Sequence, residues 1–241
     1  MPEKRLTDWV ALNDAVISCR RCPRLVTWRE QVASQKRRAF MDWVYWGKPV
    51  PGFGDRRARL VIIGLAPAAH GANRTGRMFT GDSSGTTLAG AMYRAGFANQ
   101  SLSEHRGDGL TLIDAFLTAV ARCAPPGNKP NAGELANCRV YLEAELALLS
   151  NASVVLALGK IAFDGYVRLL QESGSLSEKV AFGHGAWYPH DPGLPVLAAC
   201  YHPSRQNTQT GRLTDAMMDD VFDRIRRYLE GDQAAGDVKS F

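Results

Sequence analysis

Leu60-Val-Ile-Ile63, closed by Gly64, is the stretch on which the fold turns. Four consecutive apolar residues with no alternation read as a strand buried on both faces, and the glycine marks where it stops. The same grammar returns downstream. Val154-Val-Leu-Ala-Leu158 is stopped by Gly159, and Pro195-Val-Leu-Ala-Ala-Cys200 runs into a polar loop. A further strand is expected within Thr111 to Ala121, behind the turn at Asp108-Gly109. Between these runs the period becomes helical: Thr86 to Ala95 before Gly96, Cys138 to Leu149 with Leu142, Leu146 and Leu149 on one face, a helix after Gly159, and Asp215 to Leu229. This alternation predicts an α/β fold, a three-layer α/β/α sandwich around a central four-stranded parallel sheet. Ligands of such sheets bind outside the carboxyl ends of the strands. Chemistry is therefore expected in the loops after Ile63, Ala121, Leu158 and Cys200.

At 241 residues the chain fills one sizeable domain rather than two. We expect that domain over residues 1–230, with residues 1–58 as a helical annex and 231–241, which lack periodicity, as a flexible tail. In the annex Leu6, Trp9, Leu12, Val16 and Ile17 recur at helical spacing, with Thr7 or Asp8 as cap. Trp43, Tyr45 and Trp46, followed by the Gly- and Pro-rich stretch to Gly54, read as an irregular connection anchored by aromatics. Basic residues outnumber acidic ones 29 to 24. They concentrate in Arg20-Arg21 with Arg24, in Lys36-Arg37-Arg38, and in Arg56-Arg57 with Arg59, a lean toward polyanionic partners. No apolar run reaches the ~18 residues of a membrane span. Nothing at the N-terminus resembles a secretion signal, so a reducing, cytoplasmic compartment is expected.

Four of the five cysteines form a tight pair, Cys19 and Cys22, and a looser pair, Cys123 and Cys138. The looser pair brackets Ala-Pro-Pro-Gly-Asn-Lys-Pro, where Pro125, Pro126 and Pro130 leave few backbone donors and predict a loop. Four thiols in a reducing compartment point to a metal site. Tetrathiolate sites hold Zn²⁺ or an iron–sulfur cluster, and spacing alone does not separate the two.

Two loops carry the remaining chemistry. After the first strand comes Gly64-Leu-Ala-Pro-Ala, then Asn73-Arg-Thr-Gly-Arg-Met-Phe-Thr-Gly-Asp82; after the last comes His202-Pro-Ser-Arg-Gln-Asn207. Glycines let backbone approach a ligand closely, and His202 sits just past a strand end, placed to donate into a pocket. Gly81-Asp-Ser-Ser-Gly85 also matches the Gly-x-Ser-x-Gly nucleophile elbow, with His202 downstream, so a serine hydrolase is one alternative. A non-catalytic iron–sulfur DNA-binding module is another.

Together these loops, the Cys-Ala-Pro-Pro-x-Asn-Lys-Pro segment and the four cysteines resemble the family 5 (type B) uracil-DNA glycosylases, in register from about Cys19 to Leu213. The resemblance implies a monofunctional DNA repair glycosylase of base excision repair. Such an enzyme flips uracil, and other deaminated bases such as hypoxanthine, out of DNA, hydrolyses the N-glycosidic bond and leaves an abasic site. It implies a [4Fe-4S] cluster on Cys19, Cys22, Cys123 and Cys138. His202 would stabilise the departing base, Phe79 would stack on it, and backbone near Gly64, Leu65 and Ala66 would floor the pocket. Arg205, Gln206, Asn207, Gln209 and Arg212 would contact the DNA. The expected partner is damaged double-stranded DNA, with single-stranded DNA as a second form, for a monomer at the nucleoid. Leu65 and Ala66 stand where relatives place a polar side chain to hold water, and Ala119 where another subgroup carries an Asn that reads uracil. Asp82 and Asn128 are the replacements available in the right loops.

Overall fold

A computed structural model describes residues 6–189 and 193–232. Most of the expected tail, from 233 onward, lies outside the described residues. Six strands form one sheet: β1 (Phe53–Gly54), β2 (Leu60–Gly64), β3 (Ala115–Ala119), β4 (Val154–Leu158), β5 (Trp187–Tyr188) and β6 (Val196–Cys200), in the order β1-β3-β2-β4-β6-β5. β3, β2, β4 and β6 are parallel and are the four expected strands. β1 and β5 add antiparallel edges of two residues each, too short to leave a period in the sequence. β2 and β4 are central, and every residue of both is buried, as continuous apolar runs require.

Eight helices surround this sheet among the described residues. They are α1 (Trp9–Ile17), α2 (Pro23–Gln35), α3 (Ala72–Thr75), α4 (Ser83–Arg94), α5 (Ala132–Leu148), α6 (Lys160–Glu172), α7 (Arg205–Gln209) and α8 (Asp215–Leu229). Leu60 and Ile62 join one core with Leu88 and Met92 of α4 and Phe222 and Ile225 of α8. Val61 and Ile63 join the opposite core with Leu142 of α5 and Phe163 and Tyr166 of α6. The sheet is thus covered on both faces. Among the described residues no helix is long and apolar enough to cross a membrane.

Two helices start earlier than their periodicity suggests, and caps explain both. Asp82 accepts from the Gly85 amide at 2.9 Å and starts α4 at Ser83. Asn131 and Glu134 form a reciprocal capping box that starts α5 at Ala132. Cys138 therefore sits on a helix, and only the first half of the cysteine-bracketed stretch is loop. The annex is also stitched in firmly. Leu12 and Val16 of α1 pack on Tyr141 of α5, while the amides of Trp46, Gly47 and Val50 donate to Arg74, Asn73 and Arg122 carbonyls.

Beneath the carboxyl end of β3, Arg122 and Glu145 form an ion pair in which both side chains are 1% exposed. Glu145 also accepts from Thr118 Oγ1 and the Gly52 amide, so its lone pairs are filled. A buried pair of this kind is costly to break because one charge is left alone. Glu145→Ala is expected to lower the free energy of unfolding in urea by about 3–5 kcal/mol, and Arg122→Met with Glu145→Leu to recover most of that. A loss under ~1 kcal/mol for the single variant would show that water reaches the pair.

Candidate active site

A cleft of about 570 Å³ opens at the carboxyl ends of the sheet, between the loops that follow β2, β3 and β6. Leu65, Ala66, Phe79, Asp82, Asn128 and His202 all line it, so the side chains expected from separate loops do converge. Gly64 lies beneath Phe79: a Cβ on Gly64 would stand 2.5 Å from Phe79 Cζ, so only glycine lets the ring cross the strand end. Among the described residues, the amides of Leu65 and Ala66 donate to no carbonyl and remain available as floor donors. Ala119 also lines the cleft and adds only a methyl group.

Phe79 has φ 49°, a left-handed conformation that bulky residues rarely adopt. A buried polar brace holds it. Ser103 Oγ donates to the Phe79 carbonyl at 2.9 Å, Thr80 Oγ1 bonds Ser103 Oγ at 2.8 Å, and Arg77 donates to Thr80 and, with two nitrogens, to Asp108. Burial would push the Asp108 carboxyl up, but Arg77 and the amides of Leu110, Glu104 and His105 together hold it well below the usual range. The sequence marks Asp108 only as a turn residue and Ser103 not at all, because their role depends on contacts distant along the chain.

His202 follows β6 directly. Gly159, with φ 88°, makes room for it: a Cβ there would lie 3.1 Å from His202 Cβ. The Ser204 amide and Asn207 Nδ2 donate to the His202 carbonyl at 2.7 and 2.8 Å, which fixes the backbone while the ring lies 6.3 Å from the Phe79 ring, tilted by 32°. Asp82 has a double place. Its Oδ1 caps α4, while its Oδ2 lies toward Gly71, where an added Cβ would come within 2.0 Å. Burial raises its carboxyl above the ordinary range. Asn128 follows Gly127 in a tight turn, with φ 57° and 60° respectively, and is exposed at the rim.

The expected DNA contacts divide. Arg205 and Gln206 of α7 line the cleft, and Gln209 lines an adjoining chamber with Arg205. Asn207 faces inward to His202. Arg212 lies past α7 with its guanidinium 4.8 Å from the Tyr201 ring centroid. Ser83 and Ser84 open α4 after a loop, with no strand leading into them, so the nucleophile-elbow alternative lacks its strand.

Cys19, Cys22, Cys123 and Cys138 line a second cavity, remote in sequence but joined by α2 and α5. Arg29 Nη1 donates to Cys123 Sγ at 2.9 Å, the Arg122 amide to Cys138 Sγ at 3.2 Å, and Asn137 Nδ2 to Cys22 Sγ at 3.5 Å. Arg24 pairs with Glu134 through two nitrogens and ties α2 to α5. Burial pushes the free thiols up, to about 11 for Cys123 and about 12 for Cys138. Cys200 is separate, buried in β6.

Burial also holds the His202 imidazole down at about 4, against an ordinary 6.5. Between those values the unfolded chain binds a proton here that the folded protein does not. The contribution to stability is therefore complete above about pH 6.5 and lost as pH falls through 4. Urea midpoints measured at pH 4.5 and 7 should differ less in His202→Gln than in the parent; equal differences would place the ring in water.

The model of the Uracil DNA glycosylase superfamily matches residues 51–226. The type-5 uracil-DNA glycosylase of Mycobacterium leprae is 52% identical over 91% of this chain and 95% of that protein. The type-5 enzyme of Thermus thermophilus is 49% identical over 91% of this chain and 98% of its own length. The type-4 uracil-DNA glycosylase of Pyrobaculum aerophilum is 32% identical over 66% of this chain. Similarity of this extent, over the strands and loops that build the cleft, makes the chain a member of the uracil-DNA glycosylase superfamily, in its type-5 group.

Proposed function

We propose that this protein removes uracil from DNA by hydrolysing the N-glycosidic bond, leaving an abasic site for repair. The observation that carries the reading is the placement of Phe79 and His202 side by side in a cleft of about 570 Å³ at the carboxyl end of the sheet, roomy enough for a flipped nucleotide. A base inside a duplex cannot be reached, so the nucleotide must be extruded, and a damaged or mispaired base unstacks most cheaply. Phe79 offers the flipped base a stacking face.

As the bond from C1′ to the base breaks, its electron pair leaves with the base and positive charge develops on the sugar. Such oxocarbenium-like states need charge stabilisation at both ends. His202 is uncharged above pH 4 and donates an N–H to the pyrimidine O2, where the leaving-group charge collects. Asn128 and the free oxygen of Asp82 orient the water that adds to C1′; the water loses a proton and the departing base gains one. Because Leu65, Ala66 and Ala119 offer no polar side chain, base identity is read by shape and stacking rather than by a fixed set of hydrogen bonds. A pocket with few buried polar groups rejects analogues weakly, so hypoxanthine is expected as a second substrate and thymine, with its methyl group, as a poor one.

The same reading assigns a [4Fe-4S] cluster to Cys19, Cys22, Cys123 and Cys138. Its support is the chemistry of the donor set. Four thiols line one cavity, three of them take N–H donors, and Arg29 places a buried cation among them. When bound, the cluster supplies a cross-link between the annex, the Asn128 loop and α5.

Single-turnover assays on oligonucleotides with uracil, hypoxanthine, xanthine or thymine opposite each base test the activity. His202→Ala is expected to slow uracil release by about 10²–10³-fold with little change in DNA affinity; a loss wholly in binding would move His202 to recognition, and absence of any base release by the parent would leave the DNA-binding-module alternative. Asn128→Ala and Asp82→Ala should affect uracil and hypoxanthine unequally. Cys123→Ser should remove visible absorbance near ~400 nm and lower thermal stability together, and a colourless variant of unchanged stability would end the structural reading of the cluster.

A further inference from the structure

Lys36-Arg37-Arg38 is, of the three basic clusters, the one that reaches a chamber beside the active-site cleft, through Arg37. α2 ends at Gln35, and Lys36 turns the chain with φ 56° and ψ 176°, a region open to glycine and rarely occupied by L side chains. Lys36 Nζ reaches back to the Met41 carbonyl at 2.9 Å and closes the loop. Phe40 and Trp43 each place a ring centroid 4.0 Å from the Arg74 guanidinium, which itself donates to the His70 and Gly81 carbonyls. The base of the segment is thus fastened to the loop that carries Phe79 and Asp82. Two of its side chains face solvent: Met41 is 54% and Val44 92% exposed.

Beside this segment lies a chamber of about 630 Å³, lined by Arg37 and Phe40 and sharing Asp82, Asn128 and Arg205 with the catalytic cleft. Among the described residues Arg37, Arg38 and Arg205 enter no ion pair, so their charge is available to a polyanion. Two exposed apolar side chains are too few for a protein interface, which needs a contiguous patch of several hundred Å². Apolar tips rimmed by cations suit a nucleic-acid groove, where they press on base edges while the cations hold phosphates.

We infer that residues 36–44 form a second DNA-gripping lip, in which Arg37 and Arg38 hold backbone phosphates beside the extruded nucleotide and Met41 and Val44 press on the adjoining duplex. This rests on the glycosylase reading and extends it: the flipped base occupies the inner cleft, its backbone the outer chamber, and α7 and the lip hold the strand from two elements. Lys36 accepts an unfavourable backbone geometry because the turn aims Arg37 into the chamber.

The test measures binding of the cluster-loaded protein to a duplex with a non-cleavable abasic-site analogue, as a function of salt. Arg37→Ala with Arg38→Ala should reduce the slope of log affinity against log salt by about two units, and Arg37→Lys with Arg38→Lys should restore it. Both sites are exposed, so the thermal midpoint should not move. Met41→Ser with Val44→Ser should weaken duplex binding about tenfold and single-strand binding much less. An unchanged slope in the double alanine variant, or equal losses on duplex and single strand for the serine pair, would overturn the lip. Uracil release by the parent protein is scored separately: failure there removes the glycosylase reading, whereas release with an unchanged slope removes the lip alone.

Discussion

The guanidinium of Arg29, 2% exposed, reaches Cys123 Sγ and the Cys19 carbonyl, while Asn73 Nδ2 donates to the Arg29 backbone carbonyl. A cation taken so far from water needs an anion close by. Glu30 lies 3.8 Å away but is half exposed and already bound to Arg20 at 2.6 Å, so it satisfies the charge poorly. Thiolates do so well. On the proposed reading the buried positive charge and the cysteine site therefore require each other, and burial that raises free thiols to about 11 and 12 is the cost that a bound cluster removes. Three elements meet at this junction. Through Arg29 the cysteine cavity grips α2, and through Asn73 it grips α3 and the glycine-rich loop.

That arrangement explains how a cleft can hold strained backbone. Among the described residues four non-glycine positions have positive φ: Lys36, Phe79, Asp114 and Asn128. Three of them belong to the cleft or its flank. Strain of this kind costs of order 1–3 kcal/mol per residue and persists only where the surroundings over-determine it. Phe79 is over-determined by Ser103, Thr80 and the Arg77–Asp108 pair, and Asn128 by the turn that Cys123 and the α5 capping box tether at its two ends. The fourth, Asp114, binds the Arg59 amide and side chain at the entry to β3. Rigidity at the cleft is thus built from contacts outside it.

The sequence and the structure agree where physics is local. β2, β4 and β6 are readable because a strand covered on both faces must be apolar without alternation, and α8 because its stripe is unbroken. Edges β1 and β5 are invisible because two residues carry no period. The start of α5 was hidden by prolines that read as loop, although Asn131 and Glu134 stand three apart as a capping box requires. At the site, His202 is legible from its place just past a strand end, whereas Phe79, Asp82 and Asn128 are legible through the resemblance of their loops to those of the type-5 glycosylases. Arg29, Ser103, Asp108 and the inward turn of Asn207 are not, since nothing short of the folded chain brings them to their partners.

Electrostatics and shape divide the labour at the cleft. On the proposed reading, burial keeps His202 neutral, so it offers a dipole rather than a charge, and its attraction for the base grows as negative charge accumulates on the departing ring. The apolar side chains at Leu65, Ala66 and Ala119 contribute nothing to that gradient, but they leave no donor or acceptor stranded when a different base enters. On the proposed reading, tolerance for several deaminated bases and dependence on the His202 donor are two consequences of one composition. Selectivity must then come largely from which nucleotides leave the stack readily, and a protein of this kind gains most from a firm hold on the strand on either side of the opening.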